Sequence, residues 1–165
     1  MNATDLALLI LRLWLGTVML AHGINHARSL DGTARWFASK GFRNAKLNAT
    51  LSSGAELAIG LGIASGLLTS FAAAGLIATM TVAFGSIHRF AGFFVFHRPD
   101  EGYEYVVTLS AAALALATLG PGAGSLDAAF GMDIRGWAGL FIGLAGFIAG
   151  AAQLAALWRR PEVSA

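Results

Sequence analysis

The chain has 165 residues, 56% of them apolar and only 12% charged, with a mean hydropathy of +0.67. A soluble domain carries about 25% charged residues. Having no cysteine, it makes no disulfide, thiol relay, thiolate metal site or cysteine nucleophile. A net charge of +2 is too small and too localised to point to nucleic acid, and no phosphate loop, nucleophile elbow or paired-carboxylate hydrolase pattern is present.

The expected fold is all-α: a polytopic membrane helical bundle forming a single domain over 1–165. A span needs about 20 mostly apolar residues, and in hydrocarbon the backbone satisfies itself by folding as helix. The first apolar segment covers about 6–27. Asp5 in front of it and Arg12 within it do not fit a cleaved signal, so it is expected to be retained as a spanning helix. Residues 33–47 are amphipathic, with Trp36, Phe37 and Phe42 interleaved with Arg35, Lys40 and Arg43, as in an interfacial helix. Further spans are expected at about 48–66, 71–90, 103–119 and 137–158.

The last segment carries Gly136, Gly139, Gly143, Gly146 and Gly150 at steps of three and four. Such a smooth stripe lets two helices approach closely, within one bundle or between copies of the chain. Orientation follows from the loop cations. With five spans, Arg28, Arg35, Lys40, Arg43, Lys46, Arg89, Arg98, Arg159 and Arg160 share one side and Arg135 has the other. That places the N-terminus outside and the C-terminus in the cytoplasm.

The chemistry-bearing residues fall into two layers. Glu56 sits inside an apolar run, where a charge costs roughly 2.5–3.5 kcal/mol on insertion scales. Counting helical rise, Arg12 lies about 9 Å and Glu56 about 15 Å from the outer surface. An Arg12–Glu56 ion pair fixing helix register is therefore expected. The inner layer holds all four histidines, His22, His26, His88 and His97, together with Asn25 and Glu104. His22 and His26 share a helix face at a spacing that metals use, but a third ligand is conjecture, so no metal or haem is assigned. Imidazoles and carboxylates in this layer could instead hydrogen-bond an amphiphilic headgroup such as a quinone and exchange protons with the cytoplasm. The plain alternative is a belt of interfacial histidines with no ligand.

The string LLILRLWLGTVMLAHGINH resembles the first helix of the DoxX family, through Arg12, Leu13, Gly16, His22 and Gly23. His26 stands where many relatives have Lys. Glu56 in SSGAELAIGLGI resembles the family's acidic position, and GYEY with Glu104 and GPGAGSLD ending at Asp127 resemble later landmarks. This resemblance covers about 7–127 and implies a four-helix unit in a bacterial plasma membrane, here with a fifth transmembrane helix added. It also implies relatives resembling a subunit of thiosulfate:quinone oxidoreductase, or assembling with soluble redox enzymes such as superoxide dismutase and sulfurtransferase.

The expected function is a membrane subunit of a redox or oxidative-stress-linked complex, quinone-linked if it is enzymatic. Its headgroup pocket is expected to use His22, His26, Glu56, His88 and Glu104, with His22, Glu56 and Glu104 as the candidate proton-handling groups. Expected partners are membrane lipids and other protein subunits or further copies of the chain. One rival is a non-enzymatic scaffold that docks cytoplasmic partners through the basic segment from Arg28 to Lys46. A second is a lipid or small-solute transporter, disfavoured because the two halves show no convincing repeat.

Overall fold

A computed structural model describes residues 1–96 and 99–161, which form seven helices and no strand. They are α1 (Ala3–Ala27), α2 (Leu30–Ser39), α3 (Ala45–Ser65), α4 (Thr69–Ser86), α5 (Glu104–Leu119), α6 (Leu126–Ala129) and α7 (Gly136–Leu157), with a 3-10 turn at His88–Phe90 after α4. Helices α1, α4 and α7 are long and apolar enough to cross a membrane, and α5 is a shorter apolar helix. α3 has the length, but Lys46, Asn48, Ser52, Ser53 and Glu56 crowd its first half. The molecule is a helical membrane bundle.

Local chemistry explains the helix ends. Asn2 accepts from the Asp5 amide and Asp5 from the Asn2 amide, both at 2.9 Å, so α1 begins at Ala3, ahead of its apolar run. The amphipathic stretch is shorter than its sequence pattern. Lys40 to Asn44 break it, and Asn44 (φ 48°) turns the chain into α3, whose first turns pack beneath α2. There Phe37, Phe42 and Ala49 form a small core of their own. Gly66 (φ 69°) and Leu68 (φ 50°) make the tight reversal between α3 and α4.

Helices α1, α3, α4 and α5 close a ring around one apolar core, with Leu8, Leu15 and Met19 from α1, Ile63 from α3, Leu76 and Ile77 from α4, and Leu109 and Leu116 from α5. α1 and α3 run antiparallel and very close. A Cβ added to Gly16 would lie 2.8 Å from the Gly60 carbonyl oxygen, and one on Gly23 2.9 Å from the Leu57 nitrogen.

α7 lies outside the ring, against α4 and α5. Its buried stripe of Gly139, Gly143, Gly146 and Gly150 faces inward, and a Cβ on Gly146 would clash with the Ala74 carbonyl oxygen. The stripe is therefore a bundle-packing surface, while Trp137, Phe141 and Ile148 face outward. Gly146→Leu should lower stability by about 3 kcal/mol through overpacking, seen in thermal unfolding, while the oligomeric mass stays that of wild type. The end of α7 is stitched to the chain following α2. Arg43 N donates to Leu157 O (2.8 Å), Arg159 N to Gly41 O (2.9 Å) and Trp158 Nε1 to Lys40 O (2.7 Å).

Candidate functional site

At the α2 end the ring of helices encloses a cavity of about 320 Å³. His22 and His26 come from α1, Ser52 and Glu56 from α3, Thr79 and Ser86 from α4, and Tyr105 and Val106 from α5. Trp36, Phe37 and Phe42 close it on the α2 side, and His88 and Pro99–Glu101 contribute beside them.

Glu56 is the buried charge of this site, 4% exposed. Its Oε2 lies 2.9 Å from His26 Nδ1, and its Oε1 accepts from Ser52 Oγ at 3.1 Å. As a carboxylate it can only accept, so His26 Nδ1 carries the hydrogen and Nε2 is the ring nitrogen left for a ligand. The rings form a continuous group. His26 stacks near Trp36 (6.3 Å between centroids) and meets His22 edge-on (6.3 Å), and His22 stacks near Tyr105 (6.4 Å). A polar pair thus faces a largely aromatic and aliphatic chamber.

Three of the expected residues, His22, His26 and Glu56, come together here, and His88 also lines the cavity, its Nδ1 2.6 Å from the Glu101 carbonyl oxygen. Glu104 does not join them. Its Oε2 accepts from the Val95 amide at 3.3 Å, outside the cavity. Successive helical residues point about 100° apart, so when Tyr105 faces the chamber Glu104 turns away. His97 and Arg98 lie outside the described residues. Among the described residues no group of three His, Asp or Glu side chains could hold a metal.

The Arg12–Glu56 ion pair is not formed. Facing residues along α1 and α3 put Gly23 beside Glu56, whereas Arg12 lies level with Gly66, ten residues further along α3. Helical side chains tilt toward their own N-terminus. In an antiparallel pair Arg12 therefore leans toward the α6 end and Glu56 toward the α2 end, so the two diverge.

Arg12 is fully buried and donates through Nη2 to the Gly124 carbonyl oxygen, while its Nε and Nη1 have no hydrogen-bond partner among the described residues. Asp127 is an opposite charge in its neighbourhood, but no salt bridge joins the two among the described residues. Asp127, buried beneath the reversal between α3 and α4, accepts from the Leu68 amide (2.7 Å) and the Thr69 amide (2.8 Å), which caps α4. Its own amide donates to Gly66 O (2.8 Å). The second polar layer is thus structural: Arg12 ties α1 to Gly124, and Asp127 ties the start of α6 to the reversal between α3 and α4.

Tyr105, Ser52 and this role of Asp127 escaped the sequence reading. The Tyr-Glu-Tyr run offered two rings and one charge, and the charge drew the assignment.

The family model named DoxX matches residues 7–98, which is more than half of the chain. The chain belongs to the DoxX family. No curated protein and no solved structure matches it. The DoxX match covers α1 to α4 and includes Arg12, His22, His26, Glu56 and His88. It ends before the GYEY and GPGAGSLD strings, so Tyr105, Asp127 and the whole of α7 lie beyond the matched segment.

Proposed function

We propose that this DoxX-family protein is a membrane subunit of a redox- or oxidative-stress-linked complex, and that its cavity binds the headgroup of a quinone. The observation carrying this reading is the Glu56–His26 pair, set in a chamber of rings whose volume lies at the lower end of the range for small-molecule sites. A quinone takes up protons together with electrons. Here His26, backed by Glu56, exchanges the protons, and a partner subunit supplies the electrons.

In this reading the α2 end faces the cytoplasm of a bacterial cell and the N-terminus lies outside the plasma membrane. Arg28, Arg35, Lys40, Arg43, Lys46, Arg89, Arg159 and Arg160 gather at the α2 end, and Arg135 is the exposed cation at the α6 end. Arg35, Arg43 and Lys46 are exposed beside the cavity and supply the docking surface for an acidic soluble partner.

The test is equilibrium quinone binding to the purified protein in lipid nanodiscs. Wild type should bind, and Glu56→Gln and His26→Ala should each weaken binding about tenfold, or about 1.4 kcal/mol. Wild-type protein that takes up no quinone, or variants that bind like wild type, would overturn the reading.

A further inference from the structure

The four sides of the cavity are unequal. On one side α1 and α3 are in backbone contact through Gly16, Gly23 and Gly60, leaving no passage. α3 packs on α4, and α4 on α5, more closely than α1 packs on α5, which is the sparsest side of the ring. At the level of the cavity that sparse side is spanned by the His22–Tyr105 ring pair, stacked 6.4 Å apart. Both residues line the cavity and both are exposed. His22 lies five residues from the end of α1, about 8 Å by helical rise. With the α2 end at the cytoplasmic surface, as proposed above, that depth sets its exposed flank against lipid rather than bulk water.

The side toward α2 is tied together instead. Lys40 Nζ holds both carboxylate oxygens of Asp100 (2.7 and 2.9 Å), and His88 meets the Glu101 carbonyl oxygen, so α2, the 3-10 turn and the chain before α5 are joined beneath the chamber. A separate, open recess of about 380 Å³ also reaches His26 and Trp36, lined by Asn25, Ser29 and Thr33.

We infer that the cavity is loaded sideways from the bilayer, through the slot between α1 and α5. The occupant is then a tailed amphiphile, its headgroup at His26 and Glu56 and its apolar chain leaving past His22 and Tyr105. His26 stands at the inner end of that route, where the headgroup meets the Nε2 that the Glu56 bond leaves free. The inference rests on the reading that the cavity holds a headgroup, and it adds the class of ligand and its route.

The test uses a quinone analogue with a photoreactive group on its alkyl tail, applied to the wild-type chain in nanodiscs, with untailed headgroup binding measured in parallel. Label that excess long-chain quinone competes away should fall on α1 near His22 and on α5 near Tyr105. Competed label on α2 or on Asn25–Thr33 overturns the lateral route while leaving headgroup binding intact. Loss of both label and headgroup binding overturns the route together with the reading beneath it.

Because the chain has no cysteine, a His22→Cys/Tyr105→Cys variant can be bridged with a short bis-methanethiosulfonate, which joins each thiol through a disulfide. Bridging should slow association at least tenfold relative to the same variant unbridged, and reduction should restore it; unchanged association overturns the slot. If that variant no longer binds at all, the wild-type labelling pattern decides.

Discussion

Asp127→Ala should be the most destabilising polar substitution in this protein, its two amide bonds to a charged acceptor together contributing about 3–5 kcal/mol, which lowers the unfolding temperature by about 10 °C. Two losses combine. The Leu68 and Thr69 amides at the start of α4 lose their acceptor, and removal of a helix cap alone costs about 1–2 kcal/mol. Arg12, fully buried, also loses the opposite charge in its neighbourhood. Asp127→Asn keeps one acceptor oxygen and should fall between wild type and alanine. Arg12→Met made together with Asp127→Ala removes the buried cation along with the carboxylate, so any part of the loss that comes from stranding Arg12 should disappear. The double variant should then lose less than Asp127→Ala alone, keeping only the cost of the amide bonds. Equal losses for Asp127→Ala with and without Arg12 would show that the two are not coupled.

His26→Ala should have the next largest effect, for a related reason. It leaves the Glu56 carboxylate buried with Ser52 as its remaining side-chain partner. Stranding a buried acceptor costs about 1–3 kcal/mol, and more when it is charged. Thermal unfolding in nanodiscs should show a loss of about 3 kcal/mol. Glu56→Gln should cost under about 1 kcal/mol, because the amide oxygen still accepts from His26 Nδ1 and no charge is buried. In the Glu56→Gln background, His26→Ala should cost much less than in wild type. This non-additivity separates a coupled pair from two independent interfacial residues. Quinone binding should fall in both single variants, so the stability and binding profiles need not run in parallel.

Much of the bundle was legible in the chain because membrane helices leave a plain record. Long apolar runs mark α1, α4 and α7, and the Phe and Trp interleaved with cations mark α2. The glycine stripe of α7 was equally plain, but its partner was not. The same spacing suits packing on α4 and α5 or on another copy, and only the fold places Gly146 against Ala74.

Within the site, Glu56, His22 and His26 stood out as polar residues at depth. What failed was depth measured from helix ends. It took the outer ends of α1 and α3 as level, whereas Arg12 is level with Gly66, so Glu56 faces residue 23 of α1 rather than Arg12. It also ignored that side chains on antiparallel helices lean opposite ways. Asp127 was noticed only as part of a family string. Its role depends on amides almost sixty residues away at the reversal between α3 and α4, which no local pattern reveals.

Everything proposed for the cavity depends on which cation-forming side chain the Glu56 carboxylate touches. Solid-state NMR in lipid bilayers can read this directly, through carbon–nitrogen dipolar dephasing between the Glu56 side-chain carboxyl and labelled histidine or arginine side chains. The expected result is strong dephasing by His26 Nδ1, as the 2.9 Å contact requires, with none from Arg12. Dephasing by the Arg12 guanidinium, with His26 silent, would contradict it.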